Sequence, residues 1–336
     1  MSSLFVTRLN DAWSDACIAK IMATSALRVA AQDLIREPHA DFVHDRKLGL
    51  LLSANVPAVH PTSQLLGVWS DDVGVRAEIS TFKSIGEARR CLADQAGSHR
   101  TWRSIPRGFV RRGALLQDQL YRKKWQAPRG WAEEESRDQL LKFDRGAFFW
   151  LDVQHLLWSP EFRELAPEGN WSFIEDRVNP PSRAYLKLWE WSWRSAHRPK
   201  AGDRVLDLGA SPGGWTWALL EAGCRVVTLD RTSELDPRVR QRIESAHLGD
   251  AFDLSSWPEG KWDWVTCDVI AAPERSLRLI EELRERNQRF VITVKFKGIP
   301  EGPDLKSILR QLDDRRVRAQ RLWHNKHEIT VWMDRN

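Results

Sequence analysis

The second half of the chain alternates short apolar runs with amphipathic runs of helical length. The apolar runs RVLDLG (204–209), RVVTLD (225–230), WDWVTCD (262–268) and FVITVKF (290–296) predict strands. Helices are predicted at GWTWALLEAG (214–223), ERSLRLIEELRER (274–286) and DLKSILRQLDD (304–314). This alternation is typical of an α/β domain with a mostly parallel sheet. The last two apolar runs, VRAQRLWH (317–324) and EITVWM (328–333), are close enough to predict an antiparallel hairpin at its edge.

The first 170 residues lack this alternation and predict a mixed α+β region. LFVTRL (4–9) and LGLLLS (48–53) predict strands, residues 11–35 predict a helix, and 146–158 predict a strand followed by a turn or helix. Residues 164–182 are rich in Pro, Gly and Asn, which is typical of a linker. We therefore expect an α+β region over 1–170 and an α/β domain over 171–336.

Composition excludes several protein classes. The 336 residues are 42% hydrophobic and 29% charged, as in a globular protein of about two domains. No apolar run approaches the roughly 18 residues of a membrane span, and the first residues show no leader pattern, so we expect a cytoplasmic protein without membrane contacts. The four cysteines, Cys17, Cys91, Cys224 and Cys267, lie far apart, which argues against a disulfide framework and against a bound metal.

Basic residues are concentrated in residues 101–130, here called the basic aromatic window. This window holds one acid, Asp118, against eight bases, namely Arg103, Arg107, Arg111, Arg112, Arg122, Lys123, Lys124 and Arg129. Trp102, Phe109, Tyr121 and Trp125 are interleaved with them. Cations beside aromatic rings are used to bind single-stranded nucleic acid, but the same pattern fits a solvated surface whose aromatic residues lie in the core. The net charge of +5 does not decide between these interpretations.

A glycine-rich loop connects the first predicted strand of the α/β domain to the helix that follows. Its residues are Gly209, Ala210, Ser211, Pro212, Gly213 and Gly214. Such a loop lets a small ligand approach the backbone N–H groups at a helix start. Asp230 ends the next strand, 21 residues after Gly209, where an acid can bind both hydroxyls of a ribose, and Asp250 could meet the base of the same nucleoside. The spacing is not GxGxxG, which disfavours a nicotinamide cofactor.

Two segments around this loop resemble a known family. DLGASPGGW (207–215) resembles the S-adenosylmethionine-binding motif of FtsJ-like RNA ribose 2′-O-methyltransferases, and PSRAYLKLWE (181–190) resembles the segment before it. The resemblance implies a Rossmann-like class I methyltransferase fold and S-adenosylmethionine as the cofactor, bound by the loop together with Asp207 and Trp215. The family's Lys-Asp-Lys-Glu tetrad matches Lys187, Asp268, Lys295 and Glu328.

Within this family, residues 175–336 are most similar to bacterial enzymes that methylate a cytidine of large-subunit ribosomal RNA. The segments NPPSRAYLKL, WDWVTCDVIAAP and QLDDRRVRAQRLWHNKHEITV carry that likeness. It implies ribosomal RNA as the partner and an RRM-like region plus a THUMP domain in residues 1–170, which match only by position and size. As RNA contacts we expect Arg111, Arg112, Lys123 and Lys124 of the basic aromatic window, and Arg183 beside the tetrad.

The tetrad also fits the chemistry of ribose methylation. A ribose hydroxyl is a poor nucleophile at neutral pH, so an enzyme has to align it with the methyl group and remove one proton. We expect Lys295 to be the base, Lys187 and Asp268 to position it and the hydroxyl, and Glu328 to hold one of the lysines.

Three other functions remain as alternatives. An RNA-binding module without catalysis would not need the tetrad. A methyltransferase for small molecules or proteins would leave the basic aromatic window without a use. A nicotinamide oxidoreductase is disfavoured by the loop spacing. The sequence does not predict the oligomeric state.

Overall fold

The computed structural model forms two compact units, residues 1–127 with 135–171 (unit 1) and residues 128–134 with 172–336 (unit 2). Residues 128–134, which the expected boundary assigns to the N-terminal region, lie in unit 2. The structure describes residues 4–9, 42–45, 50–54, 70–96, 101–104, 109–120, 128–132, 145–150, 152–163, 173–232, 234–296, 314, 316–326 and 328–334. The helices predicted at 11–35 and 304–314 lie outside these ranges, apart from Asp314.

Unit 1 is built on eight described strands and two helices. The strands are β1 (Leu4–Leu9), β2 (Phe42–Asp45), β3 (Leu50–Ala54), β4 (Ser70–Thr81), β5 (Thr101–Ser104), β6 (Arg145–Trp150), β7 (His155–Ser159) and β8 (Glu161–Arg163). The helices are α1 (Ile85–Ala96) and α2 (Val110–Leu120). The strand order is β2-β3-β1-β4-β7-β6-β5, and β8 pairs with β4. The mixed α+β character expected for this region is therefore present.

A compact aromatic core holds unit 1 together. Trp102, Trp150 and Trp158 are each at most 3% exposed, and they pack with Leu92 and Leu116 from the two helices. Residues 146–158 form two antiparallel strands, β6 and β7, joined by a turn, so a helix after the first strand is excluded. Buried cross-strand pairs stabilise this hairpin, because Phe148 lies opposite Trp158 and Trp150 lies opposite Leu156.

Unit 2 is an α/β domain with a seven-stranded sheet. Its strands are β9 (Arg204–Leu208), β10 (Arg225–Asp230), β11 (Ser245–Leu248), β12 (Trp264–Cys267), β13 (Phe290–Lys295), β14 (Val317–Gln320) and β15 (Glu328–Met333). Its helices are α3 (Tyr185–Ser195), α4 (Gly214–Glu221), α5 (Pro237–Arg240) and α6 (Pro273–Glu285), with a 3-10 turn at Leu254–Ser256. The strand order is β11-β10-β9-β12-β13-β15-β14, parallel except that β15 runs antiparallel to both of its neighbours. The Rossmann-like prediction with an antiparallel edge hairpin is confirmed.

Burial explains why these strands could be recognised from the sequence. All six residues of β13 are buried, as are all four residues of β12, because helices cover both faces of a parallel sheet. On α6, Leu277, Ile280 and Leu283 are buried together, as their helical spacing predicts.

The strand order reverses between β9 and β12, which are neighbours in the sheet. Open α/β sheets bind ligands beside such a reversal, at the carboxyl ends of the strands. That edge carries the residues directly after β9 and β12, the last residue of β13 and the first residue of the antiparallel β15. In the described part of the chain, no helix is long and apolar enough to cross a membrane.

Candidate active site

The glycine-rich loop lies at this edge, and three of its positions favour glycine, two through positive φ and two through close neighbours. Gly209 has φ +67°, and a Cβ atom there would lie 2.0 Å from Cγ2 of Val269. Gly213 has φ +116° at the start of α4. A Cβ atom on Gly214 would lie 2.2 Å from Oγ of Ser182. The loop therefore packs closely against the segments after β12 and before α3.

Asp230, at the end of β10, is tied to this loop. Its Oδ2 accepts a hydrogen bond from the backbone N–H of Ser211 (2.9 Å), and its Oδ1 accepts one from the N–H of Thr232 (2.9 Å). Ser211 also donates through its hydroxyl to the carbonyl of Glu234 (2.8 Å). Oδ1 also accepts a longer hydrogen bond from the Thr232 hydroxyl (3.3 Å). Oδ2 of the partly buried Asp230 can therefore still accept a ligand hydroxyl, and Oδ1 can do so once the Thr232 hydroxyl rotates away.

Asp207, Ala210 and Trp215 lie in the packed layer of the loop and are at most 5% exposed. Asp207 accepts hydrogen bonds from Thr216 (2.6 Å) and Thr266 (2.8 Å), and burial raises its pKa to about 7. The indole N–H of Trp215 donates to the carbonyl of Ala184 (3.0 Å). These contacts give the three residues a role in shaping the loop and leave them little surface for a ligand.

Asp250 follows β11 and pairs with two arginines. Its Oδ2 lies 2.5 Å from Nη2 of Arg231 and 2.8 Å from Nη2 of Arg275. Burial acts to raise its pKa, but the N–H of Phe252 and the two arginines outweigh it and hold the pKa at about 2. Its carboxylate is thus ionised and available at the rim of the same edge.

The four tetrad residues meet in a closed ring of alternating charge. Nζ of Lys187 lies 2.9 Å from Oδ2 of Asp268 and 2.6 Å from Oε1 of Glu328. Nζ of Lys295 contacts Oδ1 of Asp268 and Oε2 of Glu328. Their side chains are only 7–15% exposed. The expectation that Glu328 holds one lysine is therefore too narrow, since it contacts both.

Four separate elements bring these side chains together. Lys187 lies in the first turn of α3, and Asp268 directly follows β12. Lys295 ends β13 and is the register partner of Glu328, the first residue of β15. Residues at the carboxyl ends of parallel strands and at the start of an antiparallel neighbour share one edge, so distant sequence positions converge here.

Thr293 also belongs to this site, although sequence reasoning missed it. Its hydroxyl donates to Oδ1 of Asp268 (2.7 Å), and it is fully buried. Thr293 and Lys295 are two residues apart on β13, so their side chains lie on the same face. That spacing was the available signal.

The pKa values of Lys187 and Asp268 are both shifted so that the charged form is favoured. Burial lowers the pKa of Lys187, but Asp268 and Glu328 outweigh it and leave the pKa above its ordinary value. Burial acts to raise the pKa of Asp268, but Lys295 and Lys187 outweigh it and leave the pKa below its ordinary value. Lys187 is thus held as an ammonium group, which suits positioning a substrate oxygen and is unsuited to removing a proton.

The expected RNA contacts lie in different surroundings. Arg183 is an exposed residue whose guanidinium pairs with Glu175 through two hydrogen bonds (2.6 and 3.0 Å). Arg111 is exposed on α2, whereas Arg112 is partly buried and stacks over the ring of Trp150 at 4.3 Å. Lys123 and Lys124 lie outside the described residues. Trp102 of the basic aromatic window is a core residue.

A comparison with protein families identifies part of unit 2. Residues 180–296 match the family model of FtsJ-like methyltransferases. These residues include the glycine-rich loop, Lys187, Asp268 and Lys295, while Glu328 lies beyond them. The resemblance to FtsJ-like methyltransferases seen in the sequence is confirmed by this match.

Curated relatives carry the name ribosomal RNA large subunit methyltransferase M. The relative from Halorhodospira halophila is 35% identical over 188 residues, which cover 52% of this chain and 54% of that protein. The one from Xylella fastidiosa (strain 9a5c) is 32% identical and covers 46% of this chain and 48% of that protein. The chain thus spans about half the length of these relatives.

Among solved structures, a TehB-like SAM-dependent methyltransferase from Corynebacterium glutamicum is 19% identical, with a TM-score of 0.31. The aligned region covers 42% of this chain and 84% of the Corynebacterium protein. The fold assignment therefore rests on the strand order of unit 2. In the part of the chain that is described, no group of three or more His, Cys, Asp or Glu residues is arranged to hold a metal ion.

Proposed function

We propose that this protein transfers a methyl group from S-adenosylmethionine to a ribose 2′-hydroxyl of RNA. The observation that carries this proposal is the closed ring of Lys187, Asp268, Lys295 and Glu328 at the sheet edge that also holds the glycine-rich loop. A ring in which two lysines and two acids alternate offers both a donor for a hydroxyl oxygen and an acceptor for its proton.

The loop fits S-adenosylmethionine in its shape and its donor set. Glycine at 209, 213 and 214 leaves the backbone approachable at the start of α4, and Asp230 offers carboxylate oxygens for two ribose hydroxyls. Asp250 is the candidate for contacting the adenine, because its ionised carboxylate follows β11, the strand that pairs with β10. Bound there, S-adenosylmethionine supplies a methyl group activated by its sulfonium.

The ring residues then have distinct tasks. Lys187 holds the 2′-oxygen through its ammonium group, and Asp268 keeps both lysines in place. Lys295 accepts the hydroxyl proton as the new C–O bond forms and the C–S bond breaks. Glu328 contacts both lysines and fixes their separation.

Large-subunit ribosomal RNA is the proposed substrate, because the curated relatives are named for it. We assign RNA affinity to unit 1, where Arg111 is an exposed cation of the basic aromatic window. Residues 1–170 would then select the target and residues 171–336 would carry the chemistry.

Comparison of total RNA from a wild-type strain and a strain lacking the gene tests this proposal. Mapping of ribose methylation should reveal one 2′-O-methyl group that is missing from the deletion strain and that the wild-type gene restores. A gene carrying Lys295→Ala should not restore it. If both strains carry the same ribose methylations, an RNA ribose is not the substrate.

A further inference from the structure

One face of α3 carries three polar side chains that contact β15 or the connection before it. Lys187, Glu190 and Arg194 are spaced three and four residues apart, so they lie on the same side of the helix. Lys187 pairs with Glu328, and Nη1 of Arg194 donates to the carbonyl of Arg321 (3.4 Å). The helix therefore contacts the last strand pair at two points, with Glu190 between them.

Glu190 is fully buried and accepts hydrogen bonds both from α3 and from the connection between β14 and β15. Oε1 accepts the backbone N–H of Trp323 (2.6 Å) and Nη1 of Arg194 (2.9 Å). Oε2 accepts the backbone N–H of His324 (2.9 Å) and contacts Nδ1 of its ring (2.8 Å). A buried carboxylate is costly unless its oxygens are satisfied, and here each oxygen has two partners.

The turn that Glu190 binds is also attached to β15 by a side-chain hydrogen bond. The side-chain amide of Asn325 donates to Oγ1 of Thr330 (3.1 Å), two residues after Glu328. Nη2 of Arg321 donates to the carbonyl of Asn325 (3.1 Å), which closes the turn. A continuous set of hydrogen bonds thus leads from the helix that carries Lys187 to the strand that carries Glu328.

We propose that Glu190 is a positioning residue that sets the separation of Lys187 and Glu328 by binding the turn at residues 321–326 to α3. This inference rests on the proposed function only for its effect on catalysis. Glu190 lies three residues after Lys187 on α3 and acts on the ring through the helix and the turn. A misplacement of reacting groups by about 1 Å can cost about 100-fold in rate, so such a contact matters even outside the site.

The charged groups that face Glu190 come from α3 and from the turn. Burial acts to raise the pKa of Glu190, but the hydrogen bond from His324 and the charge of Arg194 outweigh it and leave the pKa below its ordinary value. Glu190 therefore stays ionised. Replacing it with glutamine removes the charge and places an amide N–H₂ group against donors, while keeping the size of the side chain.

The experiment compares full-length wild-type protein with Glu190→Gln in two measurements. The first is an NMR titration of lysine ¹³Cε signals, in which Lys187 is assigned with Lys187→Arg. If Glu328 moves away, the pKa of Lys187 should fall because one of its two carboxylate partners is lost. The second is methyl transfer to RNA, where kcat should fall about 10- to 100-fold while calorimetric affinity for S-adenosylmethionine stays within about twofold.

Leu283→Ala is the matched control for a general loss of stability. Leu283 is buried on α6 in the same unit and lines a cavity with Asp263 and Gln288, which precede β12 and β13 and so lie at the opposite ends of these strands from the ring. This variant should lower the melting temperature but change neither the Lys187 titration nor kcat. An equal change of both readouts in Leu283→Ala would overturn the proposal, as would a Glu190→Gln protein that titrates and turns over like wild type.

Two further variants keep the test decisive. If Glu190→Gln does not fold, Asn325→Ala breaks the hydrogen bond that joins the turn to Thr330 of β15, and it should lower the pKa of Lys187 in the same direction; an unchanged titration overturns the proposal. In a Glu328→Gln background, Glu190→Gln should add little further loss of kcat, whereas independent effects would multiply. If wild-type protein methylates no RNA, the proposed function fails, and the titration still decides the role of Glu190.

Discussion

Lys295 and Glu328 face each other across the antiparallel pair β13 and β15, as register partners whose side chains form an ion pair. Because β15 runs against β13, its first residue reaches the edge where β13 ends. A shift of this register by one residue would turn Glu328 to the opposite face of the sheet. The terminal hairpin is therefore part of the candidate site as well as the border of the sheet.

Asp230 offers a direct test of the cofactor position. Asp230→Ala should weaken binding of S-adenosylmethionine by about 1–3 kcal/mol, because hydrogen bonds to a charged group are lost. Isothermal calorimetry measures this change. Glu259→Ala, which alters an exposed acid between the 3-10 turn at Leu254–Ser256 and β12, is the control and should bind as wild type does. An Asp230→Ala protein that is folded and binds with unchanged affinity would remove Asp230 from the site.

Two glycine variants can distinguish a steric clash in the loop from backbone strain at positive φ. Gly209 and Gly202 both have positive φ (+67° and +88°), but only at Gly209 would a Cβ atom meet a neighbour, Cγ2 of Val269. Gly209→Ala should therefore abolish S-adenosylmethionine binding and lower the melting temperature. Gly202→Ala should lose only about 1 kcal/mol of stability and keep binding. Equal binding by both variants would show that the loop does not need this close approach.

The raised pKa of Asp207 predicts that its contribution to the stability of the fold depends on pH. Its pKa is raised from 3.8 to about 7, so the folded state binds more protons than the unfolded state between these values. Its contribution is fully present below pH 4 and is lost as the pH rises through about 7. Asp207→Asn removes this loss, so its melting temperature relative to wild type should rise from pH 5 to pH 8.

Asp236→Asn serves as the control for that titration, because its pKa of about 2 lies below the pH range used. Its melting temperature relative to wild type should stay constant. A constant difference for Asp207→Asn as well would mean that Asp207 is ionised throughout and that its pKa is not raised.

The basic aromatic window predicts a specific dependence on salt. Replacing Arg111, Lys123 and Lys124 with alanine should weaken RNA binding and lower the slope of log affinity against log salt by about one for each lost phosphate contact. Arg112 is left in place because it stacks on Trp150 and its loss would disturb the core. Arg89→Ala with Arg90→Ala, two exposed changes on α1, is the control. Equal slopes for wild type and the triple variant would make the window a solvated face.

The sequence predicted those elements of unit 2 whose burial requires apolar residues. β9, β10, β12 and β13 are apolar runs because most of their residues are buried. β11 escaped prediction because its residues Ser245–Leu248 are mostly exposed on the sheet edge. An exposed edge strand needs few apolar side chains, so its sequence resembles that of a loop.

The candidate site was predicted only in part, for a different reason. The tetrad came from its resemblance to a family, since Lys187 and Glu328 are 141 residues apart and no local pattern joins them. Glu190 and Thr293 were missed because their partners, Trp323, His324 and Asp268, are distant in sequence. Contacts of this kind depend on the sheet order, which periodicity alone does not give.

Methyl transfer by purified protein tests the central claim most directly. RNA from the deletion strain is incubated with methyl-labelled S-adenosylmethionine and then hydrolysed with alkali, which leaves the linkage beside a 2′-O-methyl ribose intact. Wild-type protein should place the label in alkali-resistant dinucleotides. Lys295→Ala should place none there, although it should bind S-adenosylmethionine nearly as well as wild type. Label in alkali-released mononucleotides, or near-normal transfer by Lys295→Ala, would contradict ribose methylation with Lys295 as the base.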